Sequence, residues 1–545
     1  MFQRRAAPIV VTLAILSSNS VVQAQTGVIH EVTEASSAFD WLGYTMDAAG
    51  DVDGDGWEDV FVGIPRYNPS GLQYPNGALA VYSGFDGSRL SLVVGPTFGS
   101  LGYAMRSAGD IDQDGVIDSI ASGWPAETVW VHSTKGGSLL WEFKGNQPGE
   151  LFGWSVDVAG DVDADGMLDF VVGSPGYDIP NGLSHVGAAR AISGATGADL
   201  HSHLGVTSIA RMGMSVAGVG DVDQDGHDDY AIGITGHPVG GTFGFGAIEV
   251  HSGNSGAKLH VYTGDAAGEK LGSLVRRVGD IDGDGFQDFL LGGFGANNAI
   301  HDQIRIQSGA DGSLILKMKK KLPEARIWTA APFGDWDGDS KDEVLVTFEE
   351  SLSQEPTGVL TVAIVNSTGV TLASHSGPFD ERFGNGCSMI GDVNGNGLDF
   401  AIGSYLAPGS GKLSILSSTL GTITEVGTAC NGSFGIDAFI GLGGTPTPGG
   451  SFELTALSGT FAPTVAAMFL GASGASIPAG NGCSLYVGSP YVVTFLATDQ
   501  IGKIEFETDT PVNFPLGPVH VQVLFADALS PVGFTATEGR IVDFQ

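Results

Sequence analysis

The feature that most constrains this chain is a short acidic loop that occurs seven times, at intervals of 51 to 60 residues. The first copy reads DVDGDGWED and runs from Asp51 to Asp59. The later copies begin at Asp110, Asp161, Asp221, Asp280, Asp335 and Asp392. Recurrence of one motif at a nearly fixed interval indicates a repeat architecture in which each copy marks one structural unit.

The residues of this loop suit a hard divalent cation, which needs several oxygen ligands converging from a tightly bent backbone. The first copy offers the carboxylates of Asp51, Asp53, Asp55 and Asp59 at positions 1, 3, 5 and 9, and the carbonyl of Trp57 at position 7. Gly56 at position 6 permits the sharp turn. Calcium is the predicted ion, because magnesium prefers a smaller shell and keeps its waters, and transition metals favour His or Cys side chains.

Four further copies keep all four carboxylates and the glycine, so they are predicted to bind calcium in the same way. Their predicted ligands, with the carbonyl of the position-7 residue in each case, are Asp110, Asp112, Asp114, Val116 and Asp118; Asp161, Asp163, Asp165, Met167 and Asp169; Asp221, Asp223, Asp225, His227 and Asp229; and Asp280, Asp282, Asp284, Phe286 and Asp288.

The last two copies depart from the pattern. The sixth keeps Asp335, Asp337 and Asp339 but has Ser340 in place of the glycine and closes with Glu343, which predicts a site of altered geometry. In the seventh, Asn394 and Asn396 replace two carboxylates after Asp392, and Asp399 stands one place early. A site with fewer charges is expected to bind calcium weakly or not at all.

The segments around each loop predict strands rather than helices. A helix-loop-helix calcium hand closes with an acid at position 12, whereas these loops close at position 9. Short apolar runs follow them, such as VFVGIP, FVVGSP and FLLGGF, which is typical of buried strands. With the short strand before the loop and two more after it, each repeat contains four strands. Seven such units predict an all-β fold, a seven-bladed β-propeller.

Two further motifs recur around the acidic loop in a fixed order. A Phe-Gly pair precedes it at Phe152-Gly153 and Phe383-Gly384, and a Gly-Ala pair follows it at Gly77-Ala78, Gly187-Ala188 and Gly246-Ala247. With these motifs, residues 28–428 resemble the FG-GAP repeats of the integrin α-subunit propeller. The resemblance implies that the acids at positions 1, 3, 5 and 9 bind calcium and that loops on the opposite face contact ligands. Ile327-Trp328 replaces Phe-Gly in the sixth unit and the fifth lacks a clear Gly-Ala pair, so distortion is expected in those two blades.

Two segments compete to complete the last blade. Val28 to Glu34 resembles the fourth strand of a unit, and Thr422 to Val426 also reads as one. A strand from one end of the chain that pairs with the other end would clasp the ring and remove exposed edges.

The ends of the chain predict an exported protein with a second domain. Arg4 and Arg5 precede the apolar stretch Ala6 to Leu16, and Ala24 ends a small-residue cleavage pattern, so residues 1–24 read as a signal peptide and the protein as secreted or cell-surface. The propeller is assigned to residues 25–428. Residues 429–545 alternate apolar and polar positions, for example from Val519 to Phe525, and predict a small C-terminal β-sandwich.

Charge limits the partners. The net charge of −37 makes nucleic acid and anionic membrane surfaces unfavourable partners, and no later apolar run of sufficient length predicts a membrane span. A cluster of Lys317, Lys319, Lys320 and Lys321 is read either as an anionic-glycan patch or as an outer strand whose lysines prevent edge pairing, the second being preferred.

Cysteines and histidines give weaker signals. Cys430 and Cys483 are predicted to form a disulfide in the tail, whereas Cys387 reads as a buried strand cysteine. His201 and His203 face the same side of an outer strand, where a metal site is one reading and exposed histidines are the preferred one.

No motif of a known catalytic class occurs, neither GxSxG, HExxH nor a phosphate-binding glycine loop. The leading hypothesis is a calcium-binding module that adheres to an extracellular protein or glycan through the loops Arg66 to Asn76, Tyr177 to His185 and His237 to Phe245. A polysaccharide-degrading enzyme on the same scaffold and a structural envelope component are the alternatives.

Overall fold

A computed structural model describes residues 40–69, 75–293, 303–319, 327–336, 339–350, 359–369, 371–378, 382–393, 398–407 and 411–417, together with individual strands toward both ends of the chain. Every regular element among these residues is a β-strand. Contacts divide the chain into two compact units, one holding residues 30–415 and the other holding residues 416–545 with 20–29.

The first unit consists of seven sheets that each contain a run of four strands in antiparallel order. In blade order their bounds are Thr45–Gly50, Asp59–Ile64, Ala78–Tyr82 and Arg89–Val94; Leu101–Gly109, Asp118–Gly123, Thr128–His132 and Leu139–Lys144; Ser155–Gly160, Asp169–Ser174, Ala188–Ile192 and Asp199–Leu204; Met212–Gly220, Asp229–Ile234, Ala247–His251 and Lys258–Thr263; Leu271–Gly279, Asp288–Gly293, Gln303–Gln307 and Leu314–Lys319; Ile327–Gly334, Glu343–Glu350, Val359–Val365 and Thr371–Pro378; and Phe383–Gly391, Asp399–Ser404, Lys412–Ser417 and Gly27–Val32.

The seven sheets form a closed ring. The first strand of each blade contacts the first strand of the next, and the first strand of blade seven contacts that of blade one. First strands are therefore innermost and surround a central axis. The predicted seven-bladed β-propeller is confirmed.

Burial follows the position of each strand in its blade. Second strands such as Asp59–Ile64 and Asp169–Ser174 are buried at every residue, because a neighbouring blade covers each face. Fourth strands such as Arg89–Val94 are largely half-exposed at the rim. Between blades two and three the core includes Phe143 and Phe170, and full burial of such a side chain stabilises the fold by about 1.5–3 kcal/mol.

The two glycine motifs meet at the seams between blades. Gly77 adopts a φ of +69° and forms a bridge to Leu101, the first residue of the next blade, and a Cβ on Gly77 would lie 2.0 Å from the Leu101 nitrogen. A Cβ on Gly102, which follows Leu101, would lie 2.7 Å from the carbonyl oxygen of Ala78. The same contacts recur at the next seams of this type, between Gly187 and Met212 and between Gly246 and Leu271. The motifs recur because two backbones approach too closely at each seam for a side chain.

The last blade is closed by the N-terminal segment. Gly27–Val32 lies beside Lys412–Ser417 as the fourth strand of blade seven. The competing segment, Ile423–Val426, pairs instead with Gly539–Phe544 in a sheet of the tail. The first and last parts of the propeller sequence thus share one sheet, in which Gly27–Val32 covers the outer edge of Lys412–Ser417.

Blades five and six keep the four-stranded form despite their divergent motifs. The second and third strands of blade five pair in antiparallel register from Phe289–Gln307 to Gly293–Gln303, as in the other blades. Blade six differs in length, since its second and fourth strands each contain 8 residues rather than the 6 of blade one.

The tail also contains only strands among its described residues. Beyond Ile423–Val426 their bounds are Phe439–Gly444, Ser451–Leu457, Val465–Gly471, Ala475–Gly480, Cys483–Val487, Pro490–Ala497, Lys503–Asp509, Gly517–Ala526, Phe534–Ala536 and Gly539–Phe544, and at the other end of the chain lie Ile9–Thr12 and Ala24–Gln25. The packing of the tail into a sandwich stays a prediction.

Candidate metal centres

Each acidic loop joins the first strand of a blade to the second, and its first carboxylate organises the turn. In the first loop, Asp51 Oδ1 accepts hydrogen bonds from the N–H groups of Gly54 and Asp55 at 2.8 and 3.0 Å. Asp51 Oδ2 accepts one from Gly56 at 2.9 Å. Gly56 has a φ of +92°, a left-handed conformation that glycine adopts without strain. The equivalent bond to position 6 is present in the next four loops, at 2.8 to 2.9 Å.

Carboxylate oxygens converge in the five loops that keep all four acids. In each, one oxygen from each of three acids lies within 4.8 Å of the other two. The groups are Asp51, Asp53 and Asp59; Asp110, Asp112 and Asp118; Asp161, Asp163 and Asp169; Asp221, Asp223 and Asp225; and Asp280, Asp282 and Asp288. Three like charges at this distance repel one another, and a bound cation would convert that repulsion into attraction.

The acid at position 9 is buried, and it accepts backbone hydrogen bonds that the sequence pattern does not predict. Asp59 is 0% exposed, and its Oδ2 accepts a hydrogen bond from the N–H of Val52 at 2.8 Å. Its Oδ1 accepts a bond from the N–H of Gly84, which follows the third strand of the blade, at 3.2 Å. The same pair of bonds is made by Asp118, Asp169, Asp229 and Asp288, with Thr134, Gly194, Gly253 and Gly309 as the distant donors. The closing acid therefore ties the loop to the hairpin between the third and fourth strands.

Burial changes the acidity of these closing carboxyls. Desolvation raises the pKa of Asp59, Asp169 and Asp229 to about 6 and that of Asp288 to about 7, although backbone N–H groups partly oppose the shift. A carboxyl that is costly to ionise in isolation gains most from a nearby cation.

The donor set of the third loop fits a hard cation. Asp163 Oδ1 is buried, and it accepts no hydrogen bond from any described residue. Burial, together with Asp165 and Asp161, raises the pKa of Asp163. An unsatisfied carboxylate oxygen that faces other carboxylates is expected at a cation site. When bound, calcium would supply positive charge at this point, held by the position 1, 3, 5 and 9 acids.

The sixth loop keeps the turn without its glycine. Ser340 has a φ of +67°, and its N–H donates to Asp335 Oδ2 at 3.0 Å, as the glycines do elsewhere. Glu343 Oε2 accepts a bond from the N–H of Trp336 at 2.7 Å, so the longer side chain still reaches the position-2 backbone. Lys341 donates its N–H to Asp339 Oδ1 at 3.0 Å. Asp337 lies outside the described residues.

The seventh loop is one residue shorter yet keeps its closing bond. Asp399 begins the second strand of blade seven and accepts a hydrogen bond from the N–H of Val393 at 3.0 Å. The deletion is therefore absorbed within the loop and does not move the closing acid. Asn394 and Asn396 lie outside the described residues.

Acidic loops of neighbouring blades are also bonded to each other. Asp228, at position 8 of the fourth loop, accepts a hydrogen bond from the N–H of Asp161 at 2.9 Å and donates its own N–H to the Asp161 carbonyl at 3.0 Å. Asp342 makes the same two contacts with Asp280, at 2.8 and 2.9 Å.

The two histidines flagged in the sequence belong to a seam between blades. His203 Nε2 lies 2.8 Å from the Tyr230 hydroxyl, and His201 Nε2 lies 2.7 Å from the Gly253 carbonyl. The His203 ring centroid is 3.9 Å from that of His251, and burial, with His251 and His201 nearby, lowers the pKa of His203 to about 3. Neither histidine belongs to a potential metal cluster among the described residues. Packing between blades three and four explains them.

Cys387 and Lys317, which the sequence analysis also singled out, make contacts that explain them without a functional role. Cys387 lies near the Thr347 hydroxyl, 3.9 Å from its Sγ, and burial raises the pKa of its thiol to about 11, which disfavours a nucleophilic thiolate. Lys317 lies on the fourth strand of blade five, whose outer edge pairs with Ile9–Thr12, and it forms an ion pair with Asp265. Lys320, Lys321 and Cys430 lie outside the described residues, as does the side chain of Cys483.

The loops predicted to contact a partner lie at the other end of the blades. Tyr177 to His185 and His237 to Phe245 follow second strands, which begin at the acidic loops and run away from them. No helix in the described part of the chain is long and apolar enough to cross a bilayer.

Comparisons with known proteins agree with this architecture. The family model of the FG-GAP repeat matches residues 43–82 and 152–191, which lie in blades one and three. The chain is similar to integrin alpha-5 of Xenopus laevis, with 29% identity over 247 residues that cover 42% of this chain and 23% of the relative. It is similar to integrin alpha-V of Gallus gallus, with 30% identity over 223 residues (37% and 20%), and to human integrin alpha-IIb, with 32% identity over 171 residues (29% and 16%).

The ring of four-stranded blades and its acidic loops define a β-propeller built from FG-GAP repeats. FG-GAP repeats are present in this propeller, and the chain is similar to integrin α chains, as the sequence resemblance predicted. It spans roughly a fifth of the length of these curated relatives.

Proposed function

We propose that this protein is a secreted, calcium-binding β-propeller that acts as an extracellular binding or adhesion module. The observation that carries the proposal is the convergence of three carboxylates in each of five acidic loops, all at the same end of the ring. Similarity to integrin α chains supports an extracellular setting, where calcium is abundant enough to fill weak sites.

In this proposal calcium is structural. Each ion coordinates three or four carboxylates, offsets two of their negative charges, and fixes the connection between the two inner strands of a blade. The position-9 acid passes that constraint to the hairpin of the outer strands, because it accepts an N–H from beyond the third strand. The loops at the opposite end are then displayed on a rigid frame, which lowers the entropic cost of ordering them on binding.

The test separates binding from catalysis and from self-assembly. Purified full-length protein in calcium is incubated with a panel of extracellular glycans and matrix proteins, and both retention and the release of new reducing or unsaturated ends are measured. Retention without product supports a binding module. Product formation would establish the enzyme alternative, and self-association without retention would establish the structural component. Mass analysis of the exported protein tests cleavage after Ala24.

A further inference from the structure

The end of the propeller opposite the acidic loops carries a ring of exceptional residues. In six blades, the residue just before the first-strand motif is not glycine yet has a positive φ, between 47° and 66°. These residues are Trp41, Ser100, Leu151, Arg211, Lys270 and Arg382, and we call them the mouth ring. Because an innermost strand begins within a few residues of each of them, they surround the central axis at this end.

One side of the mouth is aromatic. Trp41 stacks on Tyr44 with ring centroids 5.4 Å apart, and both rings contact Tyr405, at 5.3 and 5.1 Å. Tyr44 also contacts Tyr103 at 5.5 Å.

The array continues into blades two and three. Tyr103 contacts Trp124 at 6.1 Å and Trp154 at 5.6 Å. Trp124 is 45% exposed, and the other rings are half-buried. These six residues, the aromatic patch, join blades seven, one, two and three.

The remaining part of the mouth is basic. The mouth ring contains Arg211, Lys270 and Arg382 but no acid, although acidic residues outnumber basic ones 61 to 24 in the chain. Arg66, in the exposed loop beside this ring, lies 4.8 Å from the centroid of Trp41. The side chains of Arg66, Arg211 and Lys270 pair with no acid among the described residues.

Two acids at this end, Glu127 and Asp265, have partners within the protein. Glu127 accepts hydrogen bonds from the N–H groups of Gly149 and Leu151 at 3.0 and 2.9 Å. Asp265 pairs with Arg305 at 3.1 Å and with Lys317. Arg66, Arg211 and Lys270 therefore supply positive charge at the mouth that no described acid pairs with, and at physiological ionic strength the acidic loops at the far end are screened beyond about 8 Å.

This combination selects a class of ligand. Guanidinium and ammonium groups recognise carboxylates, and the electron-rich faces of aromatic rings attract the C–H groups on the flat side of a sugar. A uronic acid offers both features in one ring. An acidic peptide would use the bases but would leave the aromatic patch without a matching surface.

We propose that the mouth binds uronic-acid units of an acidic polysaccharide. The proposal rests on the binding function above and names its ligand class. Carboxylates pair with Arg211 and Lys270, while a neighbouring sugar stacks on Trp124 at the exposed end of the aromatic patch.

The experiment measures binding of short galacturonate, mannuronate and glucuronate-type oligosaccharides to full-length protein in calcium by calorimetry. Oligomers too short to gel with calcium are used. Each is compared with its carboxyl-reduced neutral analogue, and polyglutamate serves as the acidic-peptide probe. We expect at least one uronate series to bind at least tenfold more tightly than its reduced form.

Variants at the two ends of the propeller locate the binding. Arg211→Gln combined with Lys270→Gln should weaken uronate binding at least tenfold and remove the preference over the reduced analogue. Trp124→Ala should weaken binding of both forms. Lys135→Gln, which changes an exposed residue at the acidic-loop end, should alter neither the uronate affinity nor the preference over the reduced analogue.

Several results would overturn the inference. These are no uronate binding, unchanged binding in the Arg211 and Lys270 double variant, or equally tight polyglutamate binding that Trp124→Ala leaves intact. Calcium-dependent melting of each variant confirms that it is folded. If that melting shift is present and uronates do not bind, only this inference fails; if wild-type protein shows no calcium dependence, the proposed function fails.

Discussion

The carboxylate of Asp228 accepts a hydrogen bond from the backbone N–H of Asp161 at 2.9 Å, so the acidic loops of blades three and four are joined directly. A second hydrogen bond runs from the Asp228 N–H to the Asp161 carbonyl, so two hydrogen bonds join the loops. The first acid of one cation loop is thus held in place by the next blade. Occupation of one loop is expected to stabilise the seam as well as the turn.

Removal of this link should destabilise the ring. Asp228→Ala deletes a charged acceptor and is expected to lower the free energy of unfolding by about 1.5 kcal/mol, measured by urea denaturation in calcium. Gln287→Ala is the matched control, because Gln287 holds position 8 of the fifth loop, is exposed, and a Cβ on the facing Gly220 would meet nothing within 4 Å. Equal losses in the two variants would contradict the assigned role.

Substitution of the closing acid and substitution of an exposed acid should affect stability differently when calcium is removed. Asp59→Asn places an amide donor against one of two buried N–H groups and should cost about 1–3 kcal/mol with or without chelator. Asp53→Asn changes an exposed side chain that accepts a hydrogen bond only from the Asp55 N–H among the described residues, so it should lower stability in calcium alone. Paired melting curves in calcium and in chelator measure both. A loss for Asp59→Asn that vanishes in chelator would show that its structural bonds are unimportant.

The calcium affinity of the loops should follow the number of carboxylates that each loop contains. Asp53→Ala removes one carboxylate from a complete set, whereas Asn394→Ala removes a neutral ligand from the poorest loop. We expect Asp53→Ala to remove one bound calcium per chain and lower the melting temperature in calcium, and Asn394→Ala to have a much smaller effect. Similar effects of the two substitutions would contradict this ranking.

A partly buried acid on an innermost strand, Asp157, should make the stability of the protein depend on pH. Asp157 lies 3.4 Å from Arg106, with Asp47 and Arg277 as the other charged groups that act on it. Burial raises the pKa of Asp157 to about 6, above the value near 3.9 of an unfolded chain, although Arg106 opposes the shift. The folded state therefore binds more protons than the unfolded state between about pH 4 and pH 6, and this residue's contribution to stability falls as pH rises.

Asp157→Asn isolates that contribution, because all other titrating groups are common to both proteins. The melting temperature of the wild type relative to the variant should fall as pH is raised from 4.5 to 7.5. A difference that is flat, or that rises with pH, would mean that the Arg106 contact outweighs burial.

Much of this molecule could be predicted because its signals are local. Carboxylates at positions 1, 3, 5 and 9 act within one turn, so the convergence of Asp51, Asp53 and Asp59 follows from spacing alone. The choice of Gly27–Val32 over Ile423–Val426 as the closing strand could not be made, because both are short strands and the pairing depends on contacts far apart in sequence.

Other features depend on contacts between segments that are distant in sequence. Gly84 and Gly194 each follow the third strand of a blade, and the sequence pattern alone does not indicate that their N–H groups donate to the closing acid. The seam contact of His203 with Tyr230 lacked any sequence signal, because outer-strand histidines look exposed in a linear pattern.

The most direct test of the central claim is the number of calcium ions bound by metal-stripped full-length protein, measured by calorimetric titration with elemental analysis. We predict at least five ions per chain, and a melting temperature that falls when they are chelated, since each site filled at 100 times its dissociation constant adds about 2.7 kcal/mol. A stoichiometry of one or none, with a melting curve that chelation leaves unchanged, would contradict the account.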